Sequence, residues 1–362
     1  MKRILCLIMC LIMACTMLVS CAEEEIGSGI GGYTDVQTTT ERLTINMHII
    51  TGDSTTEDAI KNVKLRINGY CKTNYNTDLQ ITFVKESDYV NSLNFALGQP
   101  DANAPHIVLI NSKGLFDSLM DASKLADLTD YYSTKSFGQM NAKIAKPLLE
   151  ASKVDNKHYT VPNNRVIGEY EYLVINRIAV QEFKYTNAEL SSYKSYADAE
   201  GLVAAMSDAG YTSEQIAELV RVVKGPYELR NEYTDEICNV ISVPTVDAEE
   251  AFASSFAVIN RELVKYNDRS VEIIYAINND AVLRNLLQYG VEGANYTKAP
   301  KSSEVVRNKD ENCYDMNLIY TGNVFTAYYC EEIGWTYDVK SNGQKQNQDA
   351  ICAPAVEETP GE

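Results

Sequence analysis

Cations are scarce in this chain. Its 362 residues hold 32 Lys and Arg against 50 Asp and Glu, a formal charge of −18. No basic patch with interleaved aromatics offsets that balance, which excludes nucleic acid as a partner. Histidine occurs three times and tryptophan once. Neither GxSxG nor HExxH occurs, so the nucleophile-elbow serine hydrolase and HExxH zinc-peptidase motifs are missing. Ser191-Ser-Tyr-Lys194 fits SxxK, but no SDN or KTG element accompanies it. The run Asp338–Gly343 begins like a calcium loop, yet Lys340 would set a positive charge against the ion. The nine cysteines include no close CxxC pair, which removes zinc and thioredoxin-like arrangements. Gly27, Gly29 and Gly32 match GxGxxG without a strand before or a helix after them, and so read as linker. No metal, cofactor or catalysis is expected.

Long apolar runs are absent except at the N-terminus. Lys2 and Arg3 precede Ile4 to Val19, a segment too short and wrongly flanked for a spanning helix. It reads as a secretory signal over residues 1–20. Leu18-Val19-Ser20-Cys21 has the form of a bacterial lipobox, so Cys21 is expected to carry lipid at the extracellular face of the membrane. Residues 21–41, rich in Glu, Gly and Thr, read as a flexible tether, and 353–362 as a disordered tail. Cys71, Cys238, Cys313, Cys330 and Cys352 remain in the body, with pairing left open.

What is plentiful is apolar residues, at 45%, and tyrosine, at 24. The first supports a packed core; the second supplies flat faces with polar tips. Leu43, Ile45, Met47 and Ile49 alternate as a strand, and Ile60, Val63, Ile67 and Tyr70 recur at helical spacing. Leu79 to Phe83, a helix from Ser87 to Leu97, and the apolar run His106–Ile110 continue the alternation. This order predicts a parallel sheet covered by helices, with ligand beyond the strands' carboxyl ends. Helices are expected at 115–122, 196–209, 213–223, 247–264 and 269–277, and a strand at 236–242. Asp280 caps a further helix that Gly290 ends. Between them, His158–Asn176 carries two strand-like runs broken by Pro162 and Gly168, and predicts a crossing between two lobes. Further crossings are expected near Ile241–Thr245 and Thr297–Lys301.

The segment LRNLLQYGVEGANY, ending at Tyr296, resembles the lipid-anchored extracellular solute-binding proteins of ABC transporters, in the carbohydrate-type family common in Firmicutes. LADLTDYY (125–132), YTVPNN (159–164), YLVIN (172–176), IYTGNVFTAYY (319–329) and KQNQDA (345–350) follow in the family's order. The resemblance implies an α/β, type II periplasmic-binding fold, with two α/β lobes joined by hinge strands around a ligand cleft. Lobe one is expected over 42–168 and 245–298, and a reduced lobe two over 169–244 and 299–352. It also implies a monomer that passes a small solute, a carbohydrate, to permease subunits. A surface adhesin or sensory receptor of the same fold is the alternative, and a lipid-anchored glycoside hydrolase a more distant one.

Sugars present C–H patches that stack on rings and hydroxyls that pair with amides and carboxylates. Position in the chain selects Asp53 and Asn111 at strand ends, and Asn163, Asn164, Arg165, Glu169 and Tyr170 at the crossing. Asn323, Trp335 and Asn347 are added from the C-terminal part. Glu292, just after the Gly290 helix end, is expected to hold a turn.

Overall fold

The computed structural model describes residues 41–100, 103–133, 141–261, 263–300 and 302–353. These all belong to one compact unit that excludes residues 1–34. The signal segment, Cys21, all of the tether but Glu41, and residues 354–362 lie outside the described residues.

The first strand, β1 (Leu43–Thr51), buries Leu43, Ile45, Met47 and Ile49. Helix α1 (Glu57–Asn74) follows because the Thr56 hydroxyl accepts the Ala59 amide, and Glu57 and Asp58 favour its N-terminus. It buries Ala59, Val63, Ile67 and Cys71, a stripe repeating every four residues. Strand β2 (Thr77–Lys85) pairs parallel with β1, from Leu43 opposite Thr77 to Thr51 opposite Lys85. After helix α2 (Tyr89–Leu97), strand β3 (Ile107–Ile110) lies on the other side of β1, also parallel and wholly buried. Helix α3 (Lys113–Asp121) then starts on the Ser112 cap.

The five-stranded sheet is not all parallel. Strand β4 (Thr160–Pro162) forms one edge, and a strand at Ser255–Val258 runs antiparallel between it and β3. The latter falls inside the helix expected at 247–264. Four apolar residues carry no period that separates a buried strand from a buried helix turn. One edge of the sheet therefore gathers Thr51, Lys85, Ile110 and Pro162 with Ser255.

The second sheet is smaller and antiparallel, three strands packed with helices. Strand β5 (Tyr170–Asn176) lies at its centre. Helices α4 (Glu200–Asp208) and α5 (Ser213–Leu219) follow, and the chain then turns directly into β6 (Val220–Gly225). The helix expected to reach Val223 stops because a β-branched run fits the pleat better than the helix. Strand β7 (Glu236–Ser242) pairs on the other side. Leu173 and Ile175 pack with Leu202, Met206 and Ile216, while Tyr170, Tyr172 and Val174 face Tyr227, Leu229 and Tyr233.

The chain passes between the sheets at residues 163–169 and 243–245, near the first two expected crossings. Gly168 has φ +61°, and a Cβ there would lie 2.8 Å from the Pro244 Cβ, so the two segments can touch only at a glycine. After helix α6 (Ala248–Phe252) and strand β8, the Ser255–Val258 element, come helices α7 (Val264–Asn279) and α8 (Ala281–Tyr289). The Asp280 carboxylate accepts the Val282 and Leu283 amides, and Gly290 ends α8 at φ +78°, as its sequence predicts. Glu292 bridges to Tyr296 in the following turn.

The third expected crossing is instead a hairpin of β9 (Tyr296–Lys298) and β10 (Val305–Arg307), with Lys301 outside the described residues. Residues 312–330, expected with the second lobe, hydrogen-bond to the first: the Tyr314 hydroxyl donates to the Leu287 carbonyl, and Tyr289 to that of Tyr328. Helix α9 (Tyr337–Asp349) lies against the crossing. The five body cysteines are unbridged.

Candidate functional site

A cavity of about 390 Å3 opens at the carboxyl ends of β1 and β2. Thr51, Gly52 and Asp53 form one wall, Glu86 a second, and the strap 315–320 the third. Asp315 fastens the strap to the β1 loop. Its carbonyl accepts from the Gly52 amide (2.8 Å) and the Thr55 hydroxyl (2.8 Å), and its Oδ2 from Ser54 (2.8 Å). A Cβ on Gly52 would lie 2.5 Å from that Oδ2, so this approach requires glycine. Arg307 holds Oδ1 at 2.7 Å, leaving Asp315 largely neutralised.

Glu86 and Tyr320 make the polar centre. The Tyr320 hydroxyl donates to Glu86 Oε1 at 3.0 Å, and Asn111 Nδ2 approaches the same oxygen at 3.4 Å. Burial first, then this bond to a carboxylate, pushes the Tyr320 hydroxyl up to about 12, so it stays a donor at neutral pH. Asn111 Oδ1 is buried with no hydrogen-bond partner. Among the described residues, no Lys or Arg comes within 4.0 Å of the Asp53 or Glu86 carboxylate. The arrangement offers acceptors, one phenolic donor and apolar flanks from Met316, Leu318 and Ile333.

Of the residues chosen from sequence, Asp53 lines this cavity and Asn111 borders it through Glu86. The others are placed elsewhere. Asn163 Nδ2 donates to Ser254 Oγ (2.9 Å) and the Ile319 carbonyl (3.1 Å). Asn164 accepts the Ala145 amide and donates to the Lys143 carbonyl. Arg165 donates to the carbonyls of Asn163 and Glu250. Asn347 accepts the Ile167 amide at 3.1 Å and donates to the Arg165 carbonyl at 2.6 Å, with Gln346 beside it on the Ile167 and Gly168 carbonyls. Asn323 accepts the Phe325 amide. Tyr170 donates to Asp349, and Trp335 is buried against Val324, Ala327 and Phe325. Each of these side chains holds the fold.

Two further cavities adjoin the crossing. One, of about 490 Å3, is bordered by Asn164 and Asn347, whose amides are spent on backbone, and by Asn323, whose Oδ1 accepts the Phe325 amide. The other, of about 460 Å3, is bordered by Glu169, Glu171, Glu250 and Lys224, where Lys224 pairs with Glu171 at 2.8 Å. Glu250 accepts the Gly168 amide (2.8 Å), and burial pushes its carboxyl up. The strand-end cavity combines the carboxyl ends of β1 and β2 with unspent hydrogen-bonding capacity at Asp53 and Glu86.

Glu86, Asp315 and Tyr320 were not chosen from sequence. Glu86 follows the rule that gave Asp53 and Asn111, since it stands just beyond β2; ending that strand at Phe83 concealed it. Tyr320 lies inside the quoted IYTGNVFTAYY segment, and nothing local to Asp315 marks it.

Sheet order, crossing segments and a cavity at the strand ends agree with one class of fold, that of solute-binding proteins. Neither a family model nor a curated protein sequence matches the chain. Among solved structures, it is similar to the N-glycan transport solute binding protein (NgtS) from Streptococcus pneumoniae, with TM-score 0.57 and 17% identity over 86% of this chain and 84% of that one. The same protein in complex with Man1GlcNAc, and in complex with Man5GlcNAc, gives TM-score 0.54 and 16% identity over the same shares.

Proposed function

We propose that this chain is the extracellular solute-binding component of an ABC importer. It is held to the membrane by lipid at Cys21, acts as a monomer, captures a sugar or oligosaccharide by lobe closure, and passes it to permease subunits. It binds and releases without chemistry. The observation that carries this reading is the cavity at the strand ends, on this fold, lined by Asp53, Glu86, Asn317 and Tyr320. Such acceptors and hydroxyls suit sugar hydroxyls. A ligand that prefers the closed form to the open one supplies the free energy of closure.

The lining narrows the ligand. Only Asp315 of its three carboxylates is paired with a cation, which disfavours uronates and sialylated or sulfated glycans. Neutral oligosaccharides are the better fit, and the complexes of the Streptococcus pneumoniae protein make mannose-containing ones the first to try. No helix among the described residues is long and apolar enough to cross a membrane.

The test is a thermal-shift panel on the chain lacking residues 1–21, with neutral manno- and malto-oligosaccharides, uronates, peptides and amino acids. A neutral glycan at a hundred times its Kd should add about 2.7 kcal/mol to stability and raise Tm. A panel in which every carbohydrate is silent and a peptide shifts Tm would overturn the reading.

A further inference from the structure

The LRNLLQYGVEGANY segment, one of those that carry the family resemblance, lines none of the cavity. We infer that Arg284, Gln288 and Asn285 of α8 are positioning residues for the solute site, holding the strap that presents Asp315 and Tyr320. This rests on the reading of the strand-end cavity as that site.

The strap needs holding because it has no ladder. Residues 315–326 run through short 3-10 turns, so most of their carbonyls lack a strand or helix partner. Side chains supply the donors. Gln288 Nε2 donates to the Met316 carbonyl at 2.8 Å, and its Oε1 accepts from the Thr321 hydroxyl. Arg284 donates through NH2 to the Leu318 carbonyl (3.1 Å) and through Nε to that of Asn323 (3.2 Å). Asn285 Nδ2 takes the Thr326 carbonyl at 3.1 Å, and its Oδ1 accepts the Tyr328 amide at 2.8 Å. From the opposite side, Ser254 and Asn163 both donate to the Ile319 carbonyl. Tyr320 is thus bracketed by anchored carbonyls at 318, 319 and 323. Gly322, at φ +99°, lies so close to Ile277 that a Cβ would meet its carbonyl oxygen at 2.9 Å.

The chemistry of α8 argues against plain packing. Arg284 and Gln288 are fully buried beside Leu283 and Leu287, where apolar side chains would fill the space without desolvating a charge or an amide. Among the described residues, no carboxylate lies within 4.0 Å of Arg284, and its NH1 has no hydrogen-bond partner. Burial lowers its pKa only to about 10, so it remains a cation at neutral pH. Its charge is spent on two carbonyls of the strap. Directional donors fix a backbone position in a way that apolar contact does not.

The test compares Gln288→Met and Arg284→Met with Leu202→Ala, a cavity mutation in the core of the other sheet, in the chain lacking residues 1–21. Hydrogen exchange of the ligand-free proteins reads the strap directly. Peptides spanning 316–326 should exchange about five- to tenfold faster in the α8 variants, while those spanning 172–176 stay unchanged. Affinity for Man5GlcNAc should fall by a similar factor in the α8 variants and hold in Leu202→Ala at matched loss of Tm. Unaltered strap exchange in both α8 variants, or equal loss of affinity in the Leu202→Ala control, overturns the inference. A wild-type chain that binds no neutral glycan overturns the solute reading instead, and the exchange arm still decides whether α8 holds the strap.

Discussion

The two sheets are closed by different means. Around the five-stranded sheet, buried polar side chains reach across long stretches of chain. Arg269 donates to the Tyr75 and Asn76 carbonyls and to Thr77 Oγ1, 192 to 194 residues away, and pairs with Glu272 at 2.8 Å. Asn163, Asn164, Arg284 and Gln288 do the same for other segments. Within 170–242, the single stretch that builds the three-stranded sheet, Asn239 is the one buried polar residue among those described, and the long-range ties there are the Tyr227 amide to Gln346 and Tyr170 to Asp349. Apolar burial is non-directional and tolerates repacking, whereas a buried donor specifies one acceptor. The directional contacts converge on the strap and crossing, which must hold angstrom-level geometry if the cavity is to recognise a ligand.

The contrast is broken or sharpened most forcefully at Arg269. Arg269→Met leaves Glu272 buried without its partner and removes the donor to the Tyr75 and Asn76 carbonyls and Thr77 Oγ1, so unfolding free energy should fall by about 3–5 kcal/mol. Urea denaturation followed by tyrosine fluorescence measures it. A loss under about 1 kcal/mol would mean that the long-range polar ties around the first sheet are dispensable.

Acid should also discriminate between the sheets, because all three histidines lie outside 170–242. His48 is buried on β1 with Nε2 3.1 Å from Ser92 Oγ, and burial pushes it down to about 4 from the ordinary 6.5. Between those values the unfolded chain binds a proton at this position and the folded chain does not. Stability from this group is therefore complete above pH 6.5 and falls as pH drops toward 4, by about 3 kcal/mol in total. Glu272 and Glu250, whose pKa values burial raises, act with the opposite sign. The quantity to measure is thus the difference between wild type and His48→Gln in Tm across pH 4 to 7. Parallel curves would remove His48 as the cause.

Local rules made some of this molecule legible in advance. The alternation in β1 and the Asp280 and Gly290 boundaries of α8 depend on neighbours within a turn or two, and the structure follows them. Ser255–Val258 and Val220–Val223 read as helix in sequence because short apolar runs have no decisive period, and the strands that pair with them lie elsewhere in the chain. The site divides in the same way. Asp53 and Asn111 were visible as residues just past strand ends. Asp315 and Tyr320 reach Ser54 and Glu86 across 261 and 234 residues, a pairing no local pattern encodes. Asn163, Asn164, Asn323 and Asn347 lie near the crossing, but an amide that caps backbone reads in sequence like one that meets a sugar.

The smallest expected effect tests the contrast from the other side. Asn239 Nδ2 donates to the Leu190 carbonyl at 2.7 Å, tying β7 to the helical layer. Asn239→Ala removes that bond, but the carbonyl keeps the Tyr193 amide at 3.4 Å and is not left without a donor. The cost should therefore be near that of one neutral hydrogen bond, about 1 kcal/mol, rather than the penalty of an orphaned buried group. The midpoint of urea unfolding, at unchanged slope, reads it. A loss above about 3 kcal/mol would show that the three-stranded sheet also hangs on a directional contact, and the division between the two sheets would dissolve. A loss near 1 kcal/mol, set against that of Arg269→Met, would place the geometric specification of this protein in the polar ties of the first sheet.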